Sequence, residues 1–258
     1  MDAVIQLQPD ILAFQEVTLN SIDIIRKKLS PSYASIVDSL ELVQDKSVLV
    51  GPRRYGVLIA SNYKIQTLDP KLFDIPWQER VLSVNIHHPK DIIEFHNAYI
   101  PPGSTNHWKK IETLEGIYKR LAVQMDTKRI LCGDFNTPQD ELVKYGAVTF
   151  AQKINKIGVP KLKESFRGGS GKRWDEGERK ILEGLREYNL IDAYRHIHPI
   201  SKKAYSFEFV RKGKVISQRR FDHFFCSKEC YPISAEYLDK LRKNKLSDHS
   251  PLVVQFKY

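Results

Sequence analysis

Carboxylates, a histidine and a phenol stand at the ends of apolar runs along this sequence, and these side chains hold cations and carry protons. Ile11-Leu-Ala-Phe-Gln-Glu16 closes on a carboxylate. Arg129-Ile-Leu-Cys-Gly-Asp-Phe-Asn136 closes likewise, with Gly133 permitting a sharp turn that presents Asp134 and Asn136. Phe95-His-Asn-Ala-Tyr-Ile-Pro-Pro-Gly103 places Asn97 and Tyr99 where two prolines stop the run. Leu246-Ser-Asp-His-Ser-Pro251 sets Asp248 and His249 just before the last apolar run. Taken singly, each has an ordinary reading: Asp134 and Asn136 suit a turn, Tyr99 a core, His249 a solvated surface. Four strand ends carrying Glu, Asp/Asn, Tyr and Asp-His are hard to assign to turns one by one.

The elements that must position these residues are short and β-rich. Runs at Ile11–Gln15, Tyr55–Ala60, Val81–Ile86, Ile92–Tyr99, Arg129–Cys132, Tyr205–Val210, Phe221–Cys226 and Leu252–Phe256 read as strands, several alternating in polarity. Helical stripes appear at Ile22, Ile25 and Leu29, with Asn20 and Ser21 as caps. A longer stripe runs through Trp108, Ile111, Leu114, Tyr118, Leu121 and Met125, and a third through Ile181, Leu182, Leu185 and Tyr188. Strands with a few amphipathic helices predict an α/β fold of face-to-face sheets with helices outside. No linker or repeat divides the chain, so residues 1–258 read as one domain. Residues 162–180, with Gly168, Gly169, Gly171 and dense charge of both signs, read as a mobile loop.

Composition sets the outer bounds. The chain has 258 residues, 41 Lys+Arg against 31 Asp+Glu, and a formal charge of +10. That excess invites a polyanion such as nucleic acid, although basic proteins are also basic for solubility alone. No apolar run approaches the ~18 residues of a membrane span, and no basic-then-apolar secretory leader opens the sequence. Three cysteines in no zinc spacing suit a reduced, cytoplasmic protein.

In order along the chain, Phe14-Gln-Glu16, Gly133-Asp-Phe-Asn136, Arg220-Phe-Asp-His223 and Ser247-Asp-His249 resemble the motif set of the endonuclease/exonuclease/phosphatase superfamily. Asn97-Ala-Tyr-Ile-Pro-Pro-Gly103 is similar to the tyrosine motif of its exonuclease III-like apurinic endonuclease branch. Leu190-Ile-Asp-Ala-Tyr-Arg195 resembles the stretch before that branch's late strands. The resemblance implies a DNase I-like, four-layer α/β sandwich of two mostly antiparallel sheets with helices outside. It implies a divalent-metal-dependent phosphodiester hydrolase, a DNA endo- or exonuclease acting as a monomer.

Carried over position by position, Glu16 is the main metal carboxylate and Asp248 a second contributor, with Mg²⁺, or Mn²⁺ in its place, as the cation. Asp134 orients or deprotonates the attacking water, with Asn136 beside it. His249 contacts the scissile phosphate, Asp222 holds the imidazole's other nitrogen, and Tyr99 donates to the phosphate or assists the leaving oxygen. Such a reaction is an in-line attack by water that leaves a phosphomonoester and a free hydroxyl. Arg80, Asn97, Arg173 and Trp174 are the expected substrate contacts. For Arg80 a strand-edge salt bridge serves equally well. For the basic residues Lys161, Lys163, Arg167, Lys172 and Arg173 around Trp174, a solvated loop diluted by Glu164, Asp175, Glu176 and Glu178 is the slightly better reading.

Two features depart from the family pattern. No strand ending in a Trp-Asn-type motif precedes the Glu16 run, so the domain reads as N-terminally short. Pro102 occupies a position where the apurinic branch carries a polar residue. Other substrates within the superfamily (tyrosyl-DNA ends, RNA tails, inositol phosphates, sphingomyelin) and a catalytically impaired nucleic-acid-binding module are the competing expectations.

Overall fold

A computed structural model describes residues 1–257. Six strands form the larger sheet, in the order β8-β9-β7-β6-β5-β4: β4 (Lys64–Thr67), β5 (Val81–His88), β6 (Asp91–Tyr99), β7 (Lys128–Asp134), β8 (Leu190–Asp192) and β9 (Asp222–Ser227). All neighbours are antiparallel except β6 and β7, which run parallel. That parallel step needs a crossover, and α2 (Lys109–Leu121) lies within it. A second sheet has the order β1-β3-β2, from β1 (Ile11–Val17), β2 (Ser35–Asp38) and β3 (Gly56–Ser61). The hairpin partners β10 (Pro232–Tyr237) and β11 (Leu252–Phe256) pair with each other.

Side-chain alternation builds the layers. In β3, Val57 and Ile59 point to one apolar cluster and Leu58 and Ala60 to another, so the strand is buried on both faces. The first cluster joins β3 to Leu82, Val84 and Ile86 of β5 and to Ile130 and Cys132 of β7; it is the core between the sheets. The second packs Leu12, Leu58 and Ala60 under Ile22 and Leu29 of α1 (Leu19–Leu29). On the far face of the six-stranded sheet, Val81, Ala98, Leu131 and Phe225 meet Ile111, Leu114, Ile117 and Leu121 of α2. Trp174 and Ile181 of α3 (Gly171–Leu182) join them there. The result is helix, sheet, sheet, helices: a four-layer α/β sandwich. Ile11 and Ala13 of β1, and Val254 and Phe256 of β11, pack on the same inter-sheet core, yet no strand pairs β1 with β11 among the described residues.

Two sequence expectations change. α1 starts at Leu19, one residue before the expected caps, because Thr18 and Ser21 close its first turn; the Thr18 N–H donates to the Ser21 hydroxyl at 2.9 Å. Residues 162–180 are not an open loop. A short hairpin, Ser165–Phe166 with Gly169–Ser170, leads into α3. The Ser170 hydroxyl accepts from the Arg173 N–H at 3.3 Å, and Trp174, Gly177, Glu178 and Ile181 form its buried face. A polar Glu178 in that stripe hid the helix from the apolar pattern.

Candidate active site

Strand register assembles the site. Tyr99 on β6 pairs with Asp134 on β7, and Asp134 pairs with Asp222 on β9, so three functional side chains share one rung across adjacent strands. His249 lies at the same end, its Nδ1 2.7 Å from Asp222 Oδ2. Ligand-type atoms of Asp134, Asp222 and His249 all fall within 4.8 Å of one another. Glu16 reaches the site from the other sheet through an irregularity in the β1–β3 register between Phe14 and Val17. There Glu16 adopts φ of 60°, a conformation costly for a non-glycine residue, and accepts a hydrogen bond from the Tyr99 hydroxyl.

Asn136 fixes the Asp134 carboxylate. Its backbone N–H donates to Asp134 Oδ1 at 2.8 Å and its side-chain amide to Oδ2 at 3.0 Å and to the Ile100 carbonyl at 2.9 Å. Behind this turn the buried Lys110 ammonium donates to the Asn136 carbonyl at 2.8 Å and also bonds Glu178. Asp222 is held by its backbone. The Ser206 hydroxyl accepts from the Phe221 and Asp222 N–H groups at 3.0 and 3.1 Å, and Tyr237 donates to the Asp222 carbonyl at 2.6 Å.

Burial, and then the neighbouring Asp222 charge, push the Asp134 carboxyl up to about 7. Burial lowers the His249 imidazole, but Asp222, with Asp134 and Asp248 beyond, outweighs it and raises the group to about 10. These charges favour an imidazolium at His249 near neutral pH, which makes it a hydrogen-bond donor. Burial, and then Glu16, raise the Tyr99 phenol, which stays protonated. The donors left for a cation are carboxylate oxygens, the hard set that suits a divalent metal.

Four expected contacts lie elsewhere. Asn97 is buried between the sheets: its amide donates to the Phe14 and Leu58 carbonyls at 2.9 and 3.0 Å and accepts from Gln15 at 2.7 Å. It ties β1 and β3 to β6 just before Glu16, and its side chain is wholly enclosed. Asn97→Ala is expected to lose about 1–3 kcal/mol in urea unfolding, because two buried carbonyls lose their donor. Arg80 is buried, its guanidinium 4.3 Å from the Tyr99 ring centre, donating to the Pro52 carbonyl. It packs against Tyr99, within the field of Glu16, and forms no strand-edge salt bridge among the described residues. Trp174 is wholly buried, donating to Glu178 at 2.9 Å against Trp108 and Phe166, so it is no wedge. Arg173 is spent on a two-pronged ion pair with Glu115 at 2.9 and 2.7 Å. Asp248 is exposed and outside the tight cluster, as is Glu16.

Sequence reasoning missed a buried ionic network behind the site. Arg220 donates to Glu141 at 3.0 and 2.8 Å and to Asp192 at 2.8 Å; Arg195 also binds Glu141, and His223 lies 3.4 Å from Asp192. Asp192, Arg195, Arg220 and His223 sit inside the family-like motifs and were within reach of the sequence. Glu141 carries no local signal.

A family model described as endonuclease/exonuclease/phosphatase matches residues 1–249. The chain belongs to the endonuclease/exonuclease/phosphatase family. Enzymes of this family are metal-dependent hydrolases of phosphodiester bonds. Among solved structures, the chain is similar to a 3′ phosphatase, NExo, from Neisseria bound to product DNA hairpin. That match has a TM-score of 0.62 and 20% identity and covers 100% of this chain and 95% of the other. A 3′-5′ exonuclease, NExo, from Neisseria meningitidis matches with a TM-score of 0.64 and 20% identity over 99% and 94%. TDP2 of D. rerio, complexed with single strand DNA product, matches with a TM-score of 0.63 and 13% identity over 100% and 89%. These likenesses establish the shared fold. No curated protein matches the chain. No helix among the described residues is long and apolar enough to cross a membrane.

Proposed function

We propose that this family member is a Mg²⁺-dependent DNA nuclease of the apurinic endonuclease type, acting in the cytoplasm as a monomer, with Mn²⁺ able to replace Mg²⁺. The observation that carries the reading is the single rung of Tyr99, Asp134 and Asp222 with His249 beside it. Asp134, held by two hydrogen bonds from Asn136, orients a water and takes its proton. The His249 imidazolium, fixed through Nδ1 by Asp222, directs Nε2–H at a non-bridging phosphate oxygen and stabilises the charge that develops there. Tyr99 donates to the phosphate or to the leaving oxygen. Glu16, with Asp248 as a second contributor, holds the cation. When bound, a divalent ion neutralises phosphoryl charge and steadies the departing oxygen.

The products are a phosphomonoester and a free hydroxyl. The first assay is a labelled duplex with one abasic site, incubated with Mg²⁺ or EDTA. Nicking at the site with Mg²⁺ and none with EDTA is expected, and Glu16→Gln should raise the Mg²⁺ concentration for half-maximal rate at least ~10-fold. Equal nicking in EDTA would remove the metal from the scheme. A second reading, removal of 3′-terminal phosphate, is favoured by the likeness to NExo, named a 3′ phosphatase. A duplex with a 3′-phosphate and no abasic site separates the two, since only the second reading releases inorganic phosphate from it.

A further inference from the structure

Two neighbouring groups of cations differ in their partners. On α3, Lys172, Arg173 and Arg179 pair with Glu176, Glu115, Asp175 and Glu183. Around Phe150, Lys153, Lys163, Arg167 and Arg219 have no carboxylate in ion-pair range among the described residues. Lys163 donates to the Phe150 carbonyl at 2.8 Å, and the Arg219 guanidinium lies 4.8 Å from the Phe150 ring centre. Arg167 donates to the Ser104 carbonyl at 3.3 Å and packs 5.2 Å from the Phe166 ring centre. The Nε atoms of Arg167 and Arg219 are buried without a hydrogen-bond partner. Of the carboxylates whose charge reaches this cluster, Glu178 is already engaged by Lys110 and Trp174, and Asp140, which acts on Arg219 from beyond ion-pair range, pairs with Lys203 at 3.6 Å.

Like charges repel, and a half-buried guanidinium without an anion is costly; such a gathering persists where an anion arrives from outside. Burial, and then Arg167 and more weakly Lys153, against the opposing Glu178 charge, lower the Lys163 ammonium, which places Lys153, Lys163 and Arg167 within each other's field; Arg219 joins them through the Phe150 ring. The cluster is continuous with the active site. The His249 ring lies 4.9 Å from that of Phe207, which stacks at 5.6 Å on Phe221, and Phe221 lies 6.3 Å from Phe150. Arg219 stands opposite Phe207 at the base of the ribbon formed by Phe207–Arg211 and Lys214–Arg219. Lys153 lies on a second ribbon, Gln152–Ile154 with Pro160–Leu162.

We infer that Lys153, Lys163, Arg167 and Arg219 form a second phosphate subsite, which holds a backbone phosphate of the nucleic-acid strand beyond the scissile one. The inference rests on the nuclease reading and deepens it: the substrate is a strand that continues past the cleaved bond, not a small phosphoester. Each of these cations that meets a phosphate adds to affinity and to its salt dependence.

The test compares wild type with a Lys153→Gln/Arg219→Gln double variant, and with Lys153→Glu alone, an exposed change that leaves the packing around Phe150 in place. Binding of a fluorescent abasic duplex is followed by anisotropy in EDTA from 50 to 200 mM salt. Hydrolysis of the duplex and of bis(p-nitrophenyl) phosphate, which has no flanking phosphate, is followed with Mg²⁺. The double variant should bind the duplex about 10-fold or more weakly, with the slope of log K against log salt shallower by about 1 for each phosphate-binding cation removed. The ratio of duplex to small-diester kcat/KM should fall about 10-fold, through KM. Unchanged affinity and slope, or parallel losses on both substrates, would overturn the subsite. Wild type that hydrolyses the small diester but neither binds nor cleaves the duplex would instead overturn the nuclease reading itself.

Discussion

Asp134→Asn is expected to lower the single-turnover cleavage rate by about 10²–10⁴-fold at saturating Mg²⁺, with little change in melting temperature. The amide matches the carboxylate in shape but accepts no proton. It keeps an oxygen for the Asn136 backbone N–H, now 2.8 Å from Oδ1, and gives up the Asn136 amide bond at 3.0 Å. That small loss is offset because the substitution also removes a carboxyl whose ionisation is opposed by burial and by Asp222. Stability and rate should therefore separate. A variant that cleaves as fast as wild type would show that Asp134 is not the base. A variant that unfolds more readily by several kcal/mol would show that the residue supports the turn first.

Glu141→Gln is expected to destabilise the fold by about 3–5 kcal/mol, because it strips the anion from Arg220 inside a buried network. Arg220 is almost fully buried and retains only Asp192 as a charged partner. Despite burial, Arg220 and Arg195 hold the Glu141 carboxyl down at about 2. The same arginine, with His223, holds Asp192 below the usual carboxylate range against its own burial. Both groups have folded pKa values below their unfolded ones, so their stabilisation is complete above about pH 5. It is lost as pH falls through 4 towards 2. For Glu141 the shift corresponds to about 3 kcal/mol. Urea midpoints measured from pH 7 to pH 3 should fall steeply below pH 5 in wild type and less steeply in Glu141→Gln. Parallel curves would mean that the network does not carry the acid sensitivity. Because Arg220 precedes Asp222 by two residues, the variant should also cleave more slowly at neutral pH.

Local pattern marks most of the residues that the fold gathers at the candidate site. An apolar run that ends in a polar residue is a feature of neighbouring positions: Glu16, Asp134, Asn136 and Tyr99 close such runs and His249 precedes one, whereas Asp222 is marked only by the family resemblance of Arg220-Phe-Asp-His223. Their gathering at one end of the sandwich follows from register, which no single run contains. The expected substrate contacts differ in kind. Trp174 and Arg173 stand in a charged, glycine-rich stretch, but Ser170 caps a helix there, and the pairing of Arg173 with Glu115 crosses 58 positions of sequence. Asn97 and Arg80 lie next to residues of the site, yet their side chains turn inward to serve backbone carbonyls of other strands and loops.

The sequence by itself determined the alternation of strands and helices, the order of the motifs and hence the family, and which acidic and imidazole groups stand at strand ends. These depend on spacing along the chain, where side-chain period and turn chemistry act over a few residues. Only the tertiary structure decided which cations pair with a carboxylate and which do not, and that Glu141 holds Arg220 from 79 positions away. It alone placed Tyr99, Asp134 and Asp222 on one rung. Charge and hydrogen bonding act through space over a few ångströms, and chain spacing carries no record of which distant groups the packing brings that close.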